Sequence, residues 1–66
     1  MNLTVNGETR TLDGVAHVAA LVAALGLDGR KVAVERNLEI VPRSTLAQVK
    51  VEDGDDYEIV TFVGGG

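Results

Sequence analysis

One stretch of this chain carries an apolar stripe of helical period: Val18, Leu21, Val22 and Leu25 fall at i, i+3, i+4 and i+7, with helix-forming alanines between them. Gly26 follows as a left-handed C-terminal stop. A helix of about eight or nine residues is only ~12 to 14 Å long and is marginal by itself. Its stability has to come from packing the stripe onto something else, and the flanking sequence supplies strands.

Leu3 and Val5 alternate with Asn2, Thr4 and Asn6, and Asn6-Gly7 offers the positive φ angles of a tight hairpin turn. A second strand runs through Thr9, Arg10, Thr11 and Leu12 until Asp13-Gly14 breaks it. After the helix, Val32 and Val34 alternate with Ala33 and Glu35. Arg36-Asn37-Leu38 turns into a short extended piece at Ile40 and Val41, which Pro42 ends. Ser44 is placed to cap a brief helical turn through Leu46, with a short strand expected near Val49 and Val51. Asp53-Gly54-Asp55 turns into the last strand, where Tyr57, Ile59, Thr61 and Val63 face one way and Glu58, Val60 and Phe62 the other. The order ββαβ(β)β predicts an α+β fold: a mixed four- to five-stranded sheet with one helix across one face.

The eleven valines and seven leucines suit a sheet-rich core, and the 66 residues are expected to form a single domain over 1–66. A chain this short has little to line a deep substrate pocket with, which favours a carrier or binding role over an enzyme. The absence of cysteine rules out a disulfide framework, a thiolate metal site and a thiol nucleophile. A formal charge of −4 opposes nonspecific binding to nucleic acid. Without a long apolar run or signal-peptide pattern, the expectation is no membrane association and a cytoplasmic location. Asp53-Gly54-Asp55 lacks the ligand spacing of a calcium loop, so neither metal nor cofactor is expected.

Chemistry concentrates at the C-terminal end of the sequence, where Gly64, Gly65 and Gly66 follow an apolar strand directly. Extended, three glycines reach at most ~10 to 11 Å. Lacking Cβ atoms, they form a flexible tail able to thread a narrow channel in a partner, and they leave a terminal carbonyl unhindered. The Gly66 carboxylate is then the candidate reactive group. A carboxylate is a poor electrophile until its oxygen becomes a leaving group, which adenylation accomplishes. The acyl-adenylate can accept sulfur from a persulfide, leaving a thiocarboxylate after loss of AMP.

Asn6-Gly7, the helical stripe, Val32-Ala33-Val34-Glu35-Arg36-Asn37, Ile40-Val41-Pro42-Arg43-Ser44, Asp53-Gly54-Asp55, Glu58-Ile59-Val60 and Gly64-Gly65-Gly66 together resemble the ThiS family, the sulfur carriers of thiamin biosynthesis. The resemblance covers essentially the whole chain. It departs at Leu46, where an aromatic is common, and at His17, where Ser or Thr often caps the helix. It implies the ubiquitin-like β-grasp fold, a ThiF-type enzyme that adenylates Gly66, and the thiazole synthase ThiG as sulfur acceptor. A sulfurtransferase or cysteine desulfurase is a further candidate partner. Two alternatives share the activated glycine: the small subunit of molybdopterin synthase and a ubiquitin-like protein modifier. The former usually carries a proline before the tail, which Thr61-Phe62-Val63-Gly64 lacks.

With Tyr57 and Ile59 turned toward the helix, Val60 and Phe62 fall on the uncovered face, where Ala33 joins them as a candidate docking patch beside the tail. The acidic run Glu52, Asp53, Asp55, Asp56 and Glu58 is a candidate for steering a basic partner or simply a solvated turn. His17 reads as a surface or capping residue, and Arg43 as pairing either with an acidic partner or with a neighbouring carboxylate.

Overall fold

The computed structural model describes residues 1–62. Strand β1 (Asn2–Val5) turns through Asn6 and Gly7, with φ angles of 50° and 81°, into antiparallel β2 (Glu8–Thr11). Positive φ at both central residues gives the turn a twist that matches its flanking strands. Helix α1 (Val18–Ala24) follows, then a 3-10 turn (Gly29–Lys31), β3 (Val32–Arg36), β4 (Glu39–Val41), a second 3-10 turn (Arg43–Thr45) and β5 (Asp56–Thr61).

The last strand becomes the middle one. β5 lies parallel to β1 and antiparallel to β3, giving the sheet order β2-β1-β5-β3-β4. This is the mixed, one-helix β-grasp sheet the sequence predicts, in its five-stranded form. Alternation sends Leu3, Val5, Val32, Val34, Tyr57 and Ile59 to one face, where they bury against Val18, Leu21 and Val22 of α1. Among the described residues no buried side-chain nitrogen or oxygen lacks a hydrogen-bond partner, and no helix is long and apolar enough to cross a membrane.

The helix has seven residues, with Leu25 serving as its C-cap. Each N–H of its first turn has a destination. Val18 donates to the Val49 carbonyl, Ala19 to the Leu46 carbonyl and Leu21 to the His17 carbonyl, while Ala20 donates to His17 Nδ1 at 3.1 Å. His17 therefore caps the helix through its ring, a job that needs the neutral imidazole because an imidazolium has no free acceptor nitrogen. At the other end Gly26, with φ of 78°, donates to Ala23 and Leu27 donates to Val22, the paired bonds of a Schellman cap.

The strand expected near Val49 and Val51 does not form; its place is taken by a single bridge between Lys50 and His17. The Val49 carbonyl, within the expected strand, and the Leu46 carbonyl before it accept from the helix N-terminus instead. Leu46, one of the two departures from the resemblance, is buried in the core.

Candidate functional site

Gly64, Gly65 and Gly66 lie outside the described residues, so the geometry bearing on them is that of the strand leading into them. β5 is secured along both edges. On the β1 side, Asn6 N–H donates to the Tyr57 carbonyl at 2.8 Å, after which β1 turns away. The Asn6 side chain then takes over the ladder: Nδ2 donates to the Ile59 carbonyl at 3.0 Å and Oδ1 accepts from Ile59 N–H at 2.7 Å. On the β3 side, Asn37 N–H donates to the Asp56 carbonyl at 2.7 Å and Asn37 Oδ1 accepts from Asp56 N–H at 2.9 Å. Both asparagines hold φ of 50°, a left-handed conformation Asn tolerates better than most residues. Two turn residues thus fix the register of the strand that carries the tail.

A buried carboxylate ties these turns to the core. Asp55, 6% exposed, accepts hydrogen bonds from Arg36 Nε at 2.8 Å, Arg36 Nη2 at 3.3 Å, Asn37 Nδ2 at 3.1 Å, Glu52 N–H at 2.9 Å and Tyr57 Oη at 2.8 Å. Burial acting alone raises its pKa, but the Glu52 N–H, Arg36, Asn37 and Tyr57 bonds together outweigh burial and hold it below the usual carboxylate value. Burial and then the hydrogen bond to Asp55 push the Tyr57 hydroxyl up, and Arg36 is raised by its own hydrogen bond to Asp55. Asp55 is therefore an internal structural group, not a solvent-facing member of an acidic steering patch. Asp53 is likewise engaged, accepting from Asn2 N–H at 2.7 Å.

The face opposite the helix carries Ala33, Val60 and Phe62. Ala33 is the direct cross-strand partner of Val60, and both are exposed, Val60 by 60%. Phe62, 49% exposed, continues the β3 ladder by donating its N–H to the Lys31 carbonyl at 2.8 Å. Arg43 lies over the Phe62 ring, 5.8 Å from its centroid, and donates from Nη1 to the Arg30 carbonyl at 2.9 Å. Its place beside an aromatic differs from the pairing with a neighbouring carboxylate that was one of the two readings of the sequence. Arg30 is turned instead to Asp28, whose pKa the Arg30 side chain and then its backbone N–H lower to about 2.

Two further large apolar residues are exposed. Ile40, 77% exposed, sits across from Glu35 on β4, and Leu38, 86% exposed, occupies the β3–β4 turn at φ of 70°. The alternation Glu39-Ile40-Val41 contained the signal for Ile40, since Val41 is the member of that strand needed by the core. Ala33, Val34, Glu35, Ile40, Glu58 and Val60 line a shallow, mainly apolar hollow of about 240 Å³.

The ThiS family profile matches residues 3–66. The chain is 61% identical over 66 residues to a thiazole synthase of Paramagnetospirillum magneticum, a match that takes in 100% of this chain and 20% of that protein. It thus spans only 20% of the length of the thiazole synthases it resembles, the second coming from Magnetococcus marinus. To the sulfur carrier protein ThiS of Bacillus subtilis it is 46% identical over 46 residues, 70% of either sequence. The crystal structure of a thiamine biosynthesis protein (ThiS) from Geobacter metallireducens matches with a TM-score of 0.83 and 42% identity over 100% of both chains. Since the profile reaches from the first strand through the glycines and the carrier and crystal-structure relatives repeat sequence and fold, this chain belongs to the ThiS family.

Proposed function

We propose that this chain is a sulfur carrier of thiamin biosynthesis that works through the Gly66 carboxylate, as one domain over residues 1–66 with Gly64, Gly65 and Gly66 as its tail. It acts in the cytoplasm as a co-substrate of partner enzymes, not as an enzyme itself. A ThiF-type enzyme joins the carboxylate oxygen to the α-phosphorus of ATP with loss of pyrophosphate. Hydrosulfide attack on the resulting acyl-adenylate expels AMP and leaves the thiocarboxylate. A persulfide from a sulfurtransferase or cysteine desulfurase gives an acyl disulfide first, which a thiol cleaves to the same product as the donor sulfur ends in a disulfide. Thiazole synthase then consumes the thiocarboxylate sulfur.

The observation that carries this reading is the anchoring of β5. A carrier must present its tail from a fixed base while the tail itself enters another protein. The central strand, held by Asn6 and Asn37 and followed directly by Phe62 under Arg43, supplies such a base. Phe62, Val60 and Ala33 form the adjoining docking patch, apolar at its centre as interface cores are. Family membership supports the pathway, and the relatives named thiazole synthase support that enzyme as the acceptor.

The test is reconstitution of thiazole formation from a ThiF-type enzyme, ATP, a persulfide donor with a thiol, and a thiazole synthase supplied with the carbon and nitrogen substrates of the ring. The full chain is expected to support turnover, and a chain lacking Gly65 and Gly66 is expected to support none. Equal activity of the two would overturn the assignment of Gly66.

A further inference from the structure

The sheet face that carries the docking patch also holds an unfavourable arrangement. Glu35 on β3 and Glu58 on β5 are direct cross-strand partners, so two side chains of like charge leave facing positions on the same face of the sheet. Like charges directly opposite one another destabilise a sheet. Among the described residues the ion pairs are Met1 with Asp13, Arg10 with Glu8, Arg30 with Asp28 and Arg36 with Asp55, and none of them reaches Glu35 or Glu58. Arg10 and Arg36 are registered with Leu3 and Tyr57, which places them with the helix-side rows.

Both glutamates also border the mainly apolar hollow, whose other lining is Ala33, Val34, Ile40 and Val60. Ile40 lies across from Glu35, and Val60 is two residues from Glu58 on the same face of β5. Four residues separate Glu58 from Phe62, or about 13 Å of strand. The surface thus runs from an aromatic at the tail base, through an apolar strip, to a paired negative charge at a fixed distance.

We propose that this face receives a single lysine or arginine that emerges from an apolar patch on the thiazole synthase, its cation seated between Glu35 and Glu58 and its apolar surroundings on Ala33, Ile40 and Val60. Charge complementarity selects the occupant: the hollow offers apolar contact that a soluble cation would not use, and two carboxylates that a purely apolar partner would have to desolvate unpaired. The inference rests on the sulfur-carrier reading and adds the chemistry of the surface that the carrier meets. Docking there holds the carrier while leaving the residues that follow Phe62, itself about 13 Å along the chain from Glu58, free to enter the acceptor site.

Fold and docking make opposite demands on the pair, and the experiment exploits this. Glu58→Gln and Glu35→Gln are made in the full chain, with Kd for a purified thiazole synthase measured by calorimetry at low and physiological salt and the thermal midpoint followed by circular dichroism. Each variant is expected to bind about 5- to 30-fold more weakly, with a smaller salt dependence than the unaltered chain, and to melt no lower than it. Unchanged affinity and salt dependence in folded variants would overturn the cation site while leaving sulfur transfer intact. Weakened binding to a ThiF-type enzyme alone would overturn the choice of occupant. Loss of sulfur loading in the unaltered chain would count against the carrier reading itself, an outcome these binding measurements do not share.

Discussion

Asp55 shows how a single side chain in a small fold can hold several elements at once. Its two oxygens meet five donor groups from Arg36, Asn37, Glu52 and Tyr57. In Asp55→Asn one oxygen becomes an NH2 group that faces donors, so the variant is expected to be about 2 to 4 kcal/mol less stable at pH 7 by chemical denaturation. The wild-type pKa is lowered by folding, so the contribution of Asp55 is complete above its unfolded value of about 3.9 and is lost as pH falls through the lower folded value. The stability gap between wild type and Asp55→Asn should accordingly narrow on acidification below about pH 4. A constant gap would remove the charge from the explanation. At Leu38 the sign is reversed. An exposed leucine at φ of 70° adopts a conformation that costs a residue with a Cβ about 1 to 2 kcal/mol and buries almost nothing in return. Leu38→Gly restores the Asn-Gly pair that such turns favour and should raise stability by about 0.5 to 1 kcal/mol. A loss of stability would mean that Leu38 makes a contact the exposed position does not suggest.

The elements were legible in the sequence wherever one residue served one purpose. Leu3 and Val5 alternated because they only pack, and the α1 stripe kept its period for the same reason. Gly7 and Gly26 marked positive φ that few other residues adopt readily. What stayed hidden were residues with two purposes. Asn6 read as a turn residue, and its amide also extends the β1–β5 ladder past the point where β1 leaves. Leu46 read as the end of a helical turn and Val49 as part of a strand, and their carbonyls cap α1. Neither partner is local in sequence, so no spacing rule reaches it. Asn6→Gly keeps the backbone conformation and deletes only the amide, and is expected to cost about 1 to 2 kcal/mol and to speed hydrogen exchange at Ile59 N–H. Unchanged exchange at Ile59 would show that the amide is dispensable to the register of β5.

Taken as a whole, the molecule puts its last strand in the centre of the sheet, with the helix on one face and an exposed apolar strip on the other. The strip was legible because alternation along β5 and β3 assigns Val60, Phe62 and Ala33 to the side away from the core. Its continuation to Ile40 and its border at Glu35 and Glu58 depended on the pairing of β3 with two neighbours, which composition does not encode. Asp55 was misplaced for a related reason: in the linear chain it belongs to an acidic run, and only the β3–β4 turn brings Arg36 and Asn37 to it. The family resemblance, drawn from residues spread along the chain, held where the individual segments were ambiguous.

The central claim is that sulfur is carried on Gly66, and intact-protein mass spectrometry tests it most directly. The chain is incubated with a ThiF-type enzyme, ATP and a sulfide or persulfide donor, with a Gly66-deleted chain alongside. The account predicts a mass gain equal to the exchange of one oxygen for sulfur, confined to the C-terminal glycine and absent from the deleted chain. An unchanged mass with an enzyme competent on another carrier, or the same gain in the deleted chain, would contradict it.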